Sequence, residues 1–227
     1  MGLITKGGIS MASYFNLTLD TTAPSGGSIS LPQRASSVNV TATLNATGAS
    51  YMKLWGDITA SAGGNAITEA NASWVSYSAS KAIILTATDG TKTVHVKFKD
   101  DVGNESASYS ASIILDTSVP VVTIVGPDVS KISKVTGFNV CAFSFSANED
   151  ITEWTVRVVP ATSSLHTAGT EIPTTAGSTN MHGTTEKAAD AAVECTINGA
   201  DLETASSGDG AKIIKVFVKD KTDNWSI

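Results

Sequence analysis

Alternation of apolar and polar residues is the dominant pattern in this chain, and its clearest instance occurs twice. Residues 89–106 read DGTKTVHVKFKDDVGNES, and residues 209–226 read DGAKIIKVFVKDKTDNWS. The offset is constant, since 209 − 89 and 224 − 104 both equal 120. Each copy is a turn, a run with β-branched residues on one side and Lys on the other, and an Asp/Asn-rich turn. A period of two predicts a half-buried antiparallel strand.

Further short alternating runs lie before and between the two copies, separated by turns rich in Gly, Ser and Asn. No segment offers ten residues at helical period. Many short strands with frequent turns are typical of immunoglobulin-like sandwiches. The sequence therefore predicts an all-β protein of two tandem immunoglobulin-like β-sandwiches. The predicted strands are 37–44, 51–55, 74–77, 81–86, 94–98 and 109–115, then 121–124, 140–146, 151–159, 193–197 and 212–219.

A second repeated phrase predicts the domain boundaries. Residues 112–120 read SIILDTSVP and residues 16–24 read NLTLDTTAP, at an offset of 96 (116 − 20). In each, a proline ends a strand and redirects the chain, because proline cannot donate to a strand ladder. We expect an N-terminal arm at 1–21 with a strand from Tyr14 to Asp20, a first domain at 22–116 and a second domain at 117–227.

The second domain differs from the first by a long insertion, residues 160–192. This stretch is rich in Thr, Ala, Ser and Gly and has no apolar period, so it predicts a long surface excursion. It is either a partner-contacting loop or a tolerated insertion. Trp154 falls near the position of Trp55 in the first domain, and we expect both to pack in the core.

The last strand of the first domain, 109–115, has no counterpart after Asn224-Trp225-Ser226. The second domain therefore lacks a final strand, whereas residues 14–20 resemble that strand. Three explanations stay open: a segment of a longer tandem array, a tail with an extra strand, or strand donation between subunits. In the last case Tyr14–Asp20 of one subunit would complete the second domain of another, giving a homo-oligomer that is a head-to-tail ring or filament.

Composition and charge narrow the function classes. Charged residues are only 16 % of the chain, which suits an extracellular or virion-surface β protein. The net charge of −6, without a Lys/Arg cluster, argues against nucleic acid as a partner. No apolar run of about 18 residues predicts membrane insertion. The N-terminal MGLITKGGIS is not a secretory signal, so either a signal was removed or the protein leaves the cytosol by another route.

Cysteine and histidine offer little chemistry. Cys141 and Cys195 both fall in predicted strands, where they are either two buried thiols or a cross-strand disulfide. His95, His166 and His182 are scattered and have no ligand at zinc spacing. No catalytic motif is present, so we expect no enzyme and no required cofactor.

The one chemical candidate is a calcium site at Asp100, Asp101, Asn104 and Asp116, with Glu105 beside them. Oxygen-rich turns beside a domain junction can hold calcium, which takes six to eight oxygen ligands. The second copy has Asp220, Asp223 and Asn224. Asp and Asn are also ordinary turn formers, so the alternative interpretation, that these residues only form turns, stays open.

The repeated phrases resemble the tandem bacterial Ig-like repeats of large surface adhesins and of tailed-phage virion proteins. Residues 101–106 and 115–120 carry the resemblance, and residues 19–24 repeat the linker; Asp223 replaces the glycine of the turn in the second copy. The N-terminal MASYFNLTLDTTAPSGGSISL is similar to the start of Ig-like proteins encoded among phage structural genes. The resemblance implies junction aspartates that bind calcium, with Asp101 and Asp116 as the counterparts.

These observations predict a non-enzymatic structural protein. The first hypothesis is a phage virion surface component, made in the host cytoplasm, that decorates a capsid, tail or fibre, contacts other virion proteins and aids weak attachment to a host-surface glycan. The second is a spacer fragment of an adhesin at the bacterial cell surface. The third is a carbohydrate-binding accessory module in which Trp74 and Tyr77 stack on sugar, although both lie in a strand run, where core packing explains them better.

Overall fold

The computed structural model describes residues 16–227, and their strands form two successive β-sandwiches, each with its own core. The first sandwich packs a four-stranded sheet of order β1-β3-β7-β5 against a five-stranded sheet of order β2-β9-β8-β4-β6. All its pairings are antiparallel except β2 with β9. Its strands are β1 (Ser25–Ser30), β2 (Arg34–Ala35), β3 (Asn39–Thr47), β4 (Tyr51–Gly56), β5 (Ile58–Thr59), β6 (Val75–Ser76), β7 (Ser80–Leu85), β8 (Gly90–Lys99) and β9 (Tyr109–Leu115).

The second sandwich follows the same plan with fewer long strands. One sheet has the order β10-β11-β15, and in the other β12 pairs with β13, β14 and β16. A short helix, α1 (Gly199–Ala205), follows β15 and is capped by the Asn198 side chain. The strands are β10 (Val122–Val125), β11 (Val140–Ala147), β12 (Ile151–Val158), β13 (Thr170–Glu171), β14 (His182–Gly183), β15 (Val193–Asn198) and β16 (Ile214–Asp220).

The alternation in the sequence becomes the division between core and surface. Val94, Val96 and Phe98 on β8 are fully buried, while the intervening residues are half-exposed. On β16, Val216 and Val218 are buried too, but Phe217 between them is also buried, so the alternation is less complete there. The all-β fold and the tandem sandwiches are therefore confirmed, and the boundaries at 21/22 and 116/117 stay predictions.

Of the two tryptophans expected in the core, only Trp154 lies between the sheets. Trp154 is 4 % exposed, packs edge-on against Phe145 and donates from its indole nitrogen to the Asn180 carbonyl at 2.9 Å. Trp55 is buried too, but it stacks on His95 on the outer face of its sheet, so its expected core position is wrong. The strand pairing gives the reason. Trp154 lies opposite Val218, a core residue of β16 whose equivalent on β8 is Phe98. The residue opposite Phe98 is Met52, so Met52 takes the core position and Trp55 falls on the other face of β4.

The insertion at residues 160–192 exists, but it is not only a surface excursion. It contributes β13 and β14, which pair with β12, and its Ile172 and Met181 are fully buried. The carboxylate of Asp201, itself fully buried at the start of α1, accepts hydrogen bonds from Thr175, Ala176 and Ser178. Two isolated apolar residues produce no period, so the sequence did not reveal this packing.

The two cysteines are free thiols, and the disulfide alternative is wrong. Their strands do pair, but Cys141 lies opposite Ile197 and Cys195 opposite Phe143. The cysteines are thus two positions out of register. Burial raises the pKa of Cys195 to about 12.

The predicted strand from Tyr14 to Asp20 is unpaired within the residues described and stays a prediction. Tyr14 and Phe15 lie outside them, while residues 16–20 are extended but pair with no strand. Leu17 and Leu19 are 84 % and 85 % exposed. Across residues 16–227, no helix has both the length and the apolar character needed to span a membrane.

Candidate functional site

The best-formed polar structure of the chain lies where the first sandwich meets the second. It is built on the turn after β16, in which one oxygen of the Asp220 carboxylate accepts the backbone N–H groups of Thr222 and Asn224 at 2.6 and 2.9 Å. The Asn224 amide donates to the other carboxylate oxygen at 2.8 Å and to the Asp116 backbone carbonyl at 2.9 Å. The turn of the second sandwich thereby holds the linker that leaves the first.

The first sandwich repeats this arrangement at its own far end. Asp100 accepts the backbone N–H groups of Val102, Gly103 and Asn104, and the Asn104 amide donates to Asp100 and to the Asp20 carbonyl, at 2.7 and 3.2 Å. Burial acts to raise the pKa of Asp100, but the hydrogen bonds from Asn104 and the backbone outweigh it and lower that pKa. Asn104 therefore holds the arm as Asn224 holds the linker.

Asp223, which replaces the glycine of the first turn, keeps the left-handed backbone of that position. Gly103 has φ = 101° and Asp223 has φ = 68°, so both lie in the left-handed region. Aspartate is among the few non-glycine residues that adopt this region at modest cost. The turn therefore keeps its left-handed residue, but Asp100 accepts the N–H of Gly103, whereas Asp220 accepts instead from Thr222 and Asn224.

The linker is also held from the side of the first sandwich. Asp89, in the turn before β8, accepts hydrogen bonds from the backbone and hydroxyl of Thr117 at 3.0 and 2.9 Å and from the Ser118 hydroxyl at 3.0 Å. Burial opposes ionisation, but these bonds lower the pKa of Asp89. The backbone of the linker is therefore fixed between two turns, one from each sandwich.

Three carboxylates converge at this junction. Asp116, Glu149 and Asp220 each place an oxygen within 4.8 Å of the others, and Asp220 is 2 % exposed. Burial and the negative charges of Asp116, Asp220 and Asp150 raise the pKa of Glu149. Carboxylate oxygens suit calcium, although those of Asp220 already accept hydrogen bonds from its own turn.

The four residues predicted to hold calcium are not brought together. Leu115 lies opposite Gly90 at one end of β8, whereas Asp100 follows the other end. A ten-residue strand is about 30 Å long, so Asp116 is far from Asp100, Asp101 and Asn104. Asp101 is exposed, and Asp100 accepts hydrogen bonds from the backbone of its own turn. At the carboxyl end of β8 the hydrogen bonds therefore favour the turn-forming role.

Sequence reasoning missed Glu149, which completes the acidic cluster. It lies in the Asn148-Glu149-Asp150 turn between β11 and β12, and the matching turn of the first sandwich, residues 47–50, reads TGAS without a carboxylate. Asn224 is the equivalent of Asn104 in the repeat, and it lies in the same turn as Asp220. The repeat could therefore have placed Asp220 beside Asp116. Nothing local marks Glu149 as their neighbour.

The two aromatics predicted to bind sugar are already engaged. The Tyr77 hydroxyl donates to the Leu44 carbonyl at 3.4 Å and its ring packs against Phe98 in the core. The Trp74 ring is half-buried and has the ammonium groups of Lys99 and Lys53 over it at 4.4 and 5.1 Å. These contacts favour structural roles for both aromatics.

The fold and the junction define a class, a tandem Ig-like β-sandwich module. No protein-family model matches the sequence, and no curated protein matches it. Among solved structures, the chain is similar to the fibronectin(III)-like modules of Clostridium thermocellum CbhA, at 12 % identity and a TM-score of 0.41, covering 88 % of this chain and 89 % of that one.

Two other solved structures are similar over the same share of this chain. The tetra-tandem repeat in the extending region of a large adhesion protein gives 17 % identity and a TM-score of 0.32, and the chain covers 46 % of it. Chitinase ChiA74 from Bacillus thuringiensis gives 12 % identity and a TM-score of 0.31, with 30 % of it covered. At these values the likeness transfers no site or activity, and the fold assignment depends on the strand pairing described above.

Proposed function

We propose that the chain is a non-enzymatic structural module whose paired sandwiches act as a stiff spacer on a surface, in the first instance that of a phage virion. The observation that carries the spacer role is the linker at residues 116–118. It is hydrogen bonded by Asp89 from one sandwich and by Asn224 from the other. A linker fixed on both sides limits bending between the sandwiches, whereas a free linker of this length would act as a hinge.

The repetition of this contact supports the same role. Asn104 and Asn224 make equivalent bonds to the residues before the two proline-ended linkers. A module whose N-terminal end is built like its inner junction can be joined in series with constant geometry, which is what a projecting spacer or a decoration protein requires. The virion location is supported by the sequence resemblance alone, and the adhesin spacer is the alternative.

The stiffness is tested by small-angle X-ray scattering on Asn224→Ala, with Asn104→Ala as the matched control. Both remove the same amide from the same type of turn, but only Asn224 bonds the linker between the sandwiches. We expect Asn224→Ala to broaden the distribution of interdomain distances and Asn104→Ala to leave the wild-type profile unchanged. Equal profiles for all three proteins would contradict the spacer role.

The location is tested separately by mass spectrometry of purified phage particles and of the washed host cell surface. Recovery of the chain in particles, at a fixed ratio to the capsid protein, is the expected result. Recovery on the cell surface alone would replace the virion role by the adhesin role and leave the spacer role unaffected.

The calcium site stays a prediction, now on different residues. Among the residues described, Asp116 is the predicted ligand that belongs to a group of three carboxylates, together with Glu149 and Asp220. Glycan attachment also stays a prediction, and the contacts that Trp74 and Tyr77 make within the first sandwich do not support it.

A further inference from the structure

One edge of the second sandwich has no strand partner within residues 16–227. In the first sandwich β8 is paired on both sides, by β4 and by β9. Its counterpart β16 is paired by β12 on one side, and β16 has no ladder on the other. An unpaired edge presents a row of backbone N–H and C=O groups that can bind a further strand.

An apolar groove of about 890 Å³ runs beside this edge. The corresponding space in the first sandwich is filled by Ile113 and Leu115 of β9, which are buried in its core. Ile29 of β1 is 9 % exposed there, whereas Ile124, its equivalent on β10, is 48 % exposed. The groove is lined by Ile124, Phe143, Ile197, Ile214 and Val216, among others.

The N-terminal arm has the sequence and the local geometry of the strand that this groove lacks. At the offset of 96, Leu17 and Leu19 correspond to Ile113 and Leu115, and both leucines are more than four-fifths exposed. Asp20 accepts the Thr22 N–H at 2.9 Å, as Asp116 accepts the Ser118 N–H at 3.2 Å. The chain after Leu19 is therefore already folded like the chain after β9.

Leu17 and Leu19 cannot reach the groove of their own chain. Asn104, beyond the carboxyl end of β8, holds Asp20, whereas the second sandwich is joined beside Asp89, at the amino end of β8. The five residues 16–20 span at most about 18 Å, and β8 alone is about 30 Å long. An arm that fills this groove must then come from a second copy.

We propose that the arm of one copy adds to residues 210–213 and the start of β16 of another, as an antiparallel strand with its leucines in the groove. The β8–β9 register, transferred by the offsets of 120 and 96, sets Leu19 opposite Gly210 and Leu17 opposite Lys212. Asp209, which is exposed, then receives Thr21 and Thr22 of the incoming arm as Asp89 receives Thr117 and Ser118.

The contact between copies would thus reproduce the junction within the chain. It is heterologous, because the arm of one subunit binds the groove of the next, and repetition gives a filament unless a ring closes. The proposal stands whether or not the protein is a virion component.

The test is the mass of the intact chain by sedimentation velocity over a range of concentrations. We expect the wild type to form multiples of 23.3 kDa and the double variant L17D/L19D to stay at 23.3 kDa. Thr18→Asp is the matched control: it adds a charge to the same strand on the face away from the groove, and it should assemble within about threefold of the wild-type midpoint. Circular dichroism should be unchanged in both, since all three side chains are exposed.

A wild type that remains at 23.3 kDa at every concentration overturns the proposal, and the groove then belongs to a strand from another protein or from sequence outside residues 1–227. Equal loss of assembly in both variants overturns it too, because the groove would not distinguish the faces of the arm.

The register is tested with cysteine pairs in a Cys141→Ser background. Leu17→Cys with Lys212→Cys should give a ladder of disulfide-linked oligomers on mild oxidation, whereas Thr18→Cys with Lys212→Cys should give less than a tenth of it. A ladder from the second pair alone would overturn the proposed register.

Discussion

The acidic cluster at the junction predicts that one substitution will stabilise the protein. Glu149 lies within 4.8 Å of both Asp116 and Asp220, counted between carboxylate oxygens. Two unit charges at that distance repel by about 1 kcal/mol in water. Two such pairs give about 2 kcal/mol, and half-exposure and salt reduce this to about 1 kcal/mol. We therefore expect Glu149→Gln to raise the free energy of unfolding of the second sandwich by about 1 kcal/mol at pH 7.

The pH dependence has a defined sign. The folded state raises the pKa of Glu149 through burial and the neighbouring carboxylates, so folded Glu149 binds a proton more readily than unfolded Glu149. The penalty is fully present above the folded pKa and disappears as the pH falls below the unfolded value of about 4.3. The advantage of Glu149→Gln should therefore be present at pH 7 and vanish near pH 4.

The neighbouring Asp150→Asn is the matched control, because it should have the opposite sign. A hydrogen bond from Lys221 at 2.8 Å lowers the pKa of Asp150, so its charge stabilises the fold above the unfolded pKa. Urea denaturation followed by tryptophan fluorescence at pH 7 and pH 4 measures both variants. A Glu149→Gln protein no more stable than wild type at pH 7, or a gain that persists at pH 4, would refute the reasoning.

Three further predictions test other parts of the structure. Asp201→Ala should lower the free energy of unfolding by about 3 kcal/mol in urea, because it leaves the N–H groups of Ala176 and of buried Ser178 without their acceptor, while exposed Asp209→Ala should change it by less than 0.5 kcal/mol. Calcium at millimolar concentration should raise the melting temperature of the wild type by about 3 °C and that of Glu149→Gln by less than 1 °C, in scanning calorimetry; an equal rise would place calcium elsewhere. Iodoacetamide should alkylate half-buried Cys141 and leave Cys195, whose pKa is about 12, unmodified in the folded protein, as intact-mass spectrometry will show; a second adduct before unfolding would contradict the burial of Cys195.

Much of the fold could be predicted because strand signals are local. Alternation located β3, β4, β8, β9, β11, β12, β15 and β16 within a few residues of their ends. It failed at β1, whose SGGSIS has a single large apolar residue, and at β13 and β14, which have two residues each. Such segments become strands because they pair with the edge of a neighbouring strand, and their own side chains carry no strand pattern.

The sequence predicted the kind of candidate site, an acidic one at a turn, but not which residues form it. The sequence located acidic turns beside a domain junction, yet it grouped Asp116 with Asp100 and Asp101 because they are close along the chain. Strand direction separates them, since β8 and β9 are antiparallel and Asp100 follows the end of β8 far from Asp116. Glu149 reaches Asp116 from a different hairpin, and no local pattern encodes that approach.

The sequence by itself determined what depends on neighbouring residues: the strands, the Asp–Asn turns, the repeat offsets of 120 and 96 and the resemblance of the arm to β9. Only the tertiary structure decided which of these segments meet. It placed Asp20 and Asp116 against equivalent turns, buried Ile172 and Met181, and left β16 with one unpaired edge among the residues described. The physical reason is that alternation fixes the faces of a strand, whereas its partners follow from direction, register and the space left by the rest of the chain.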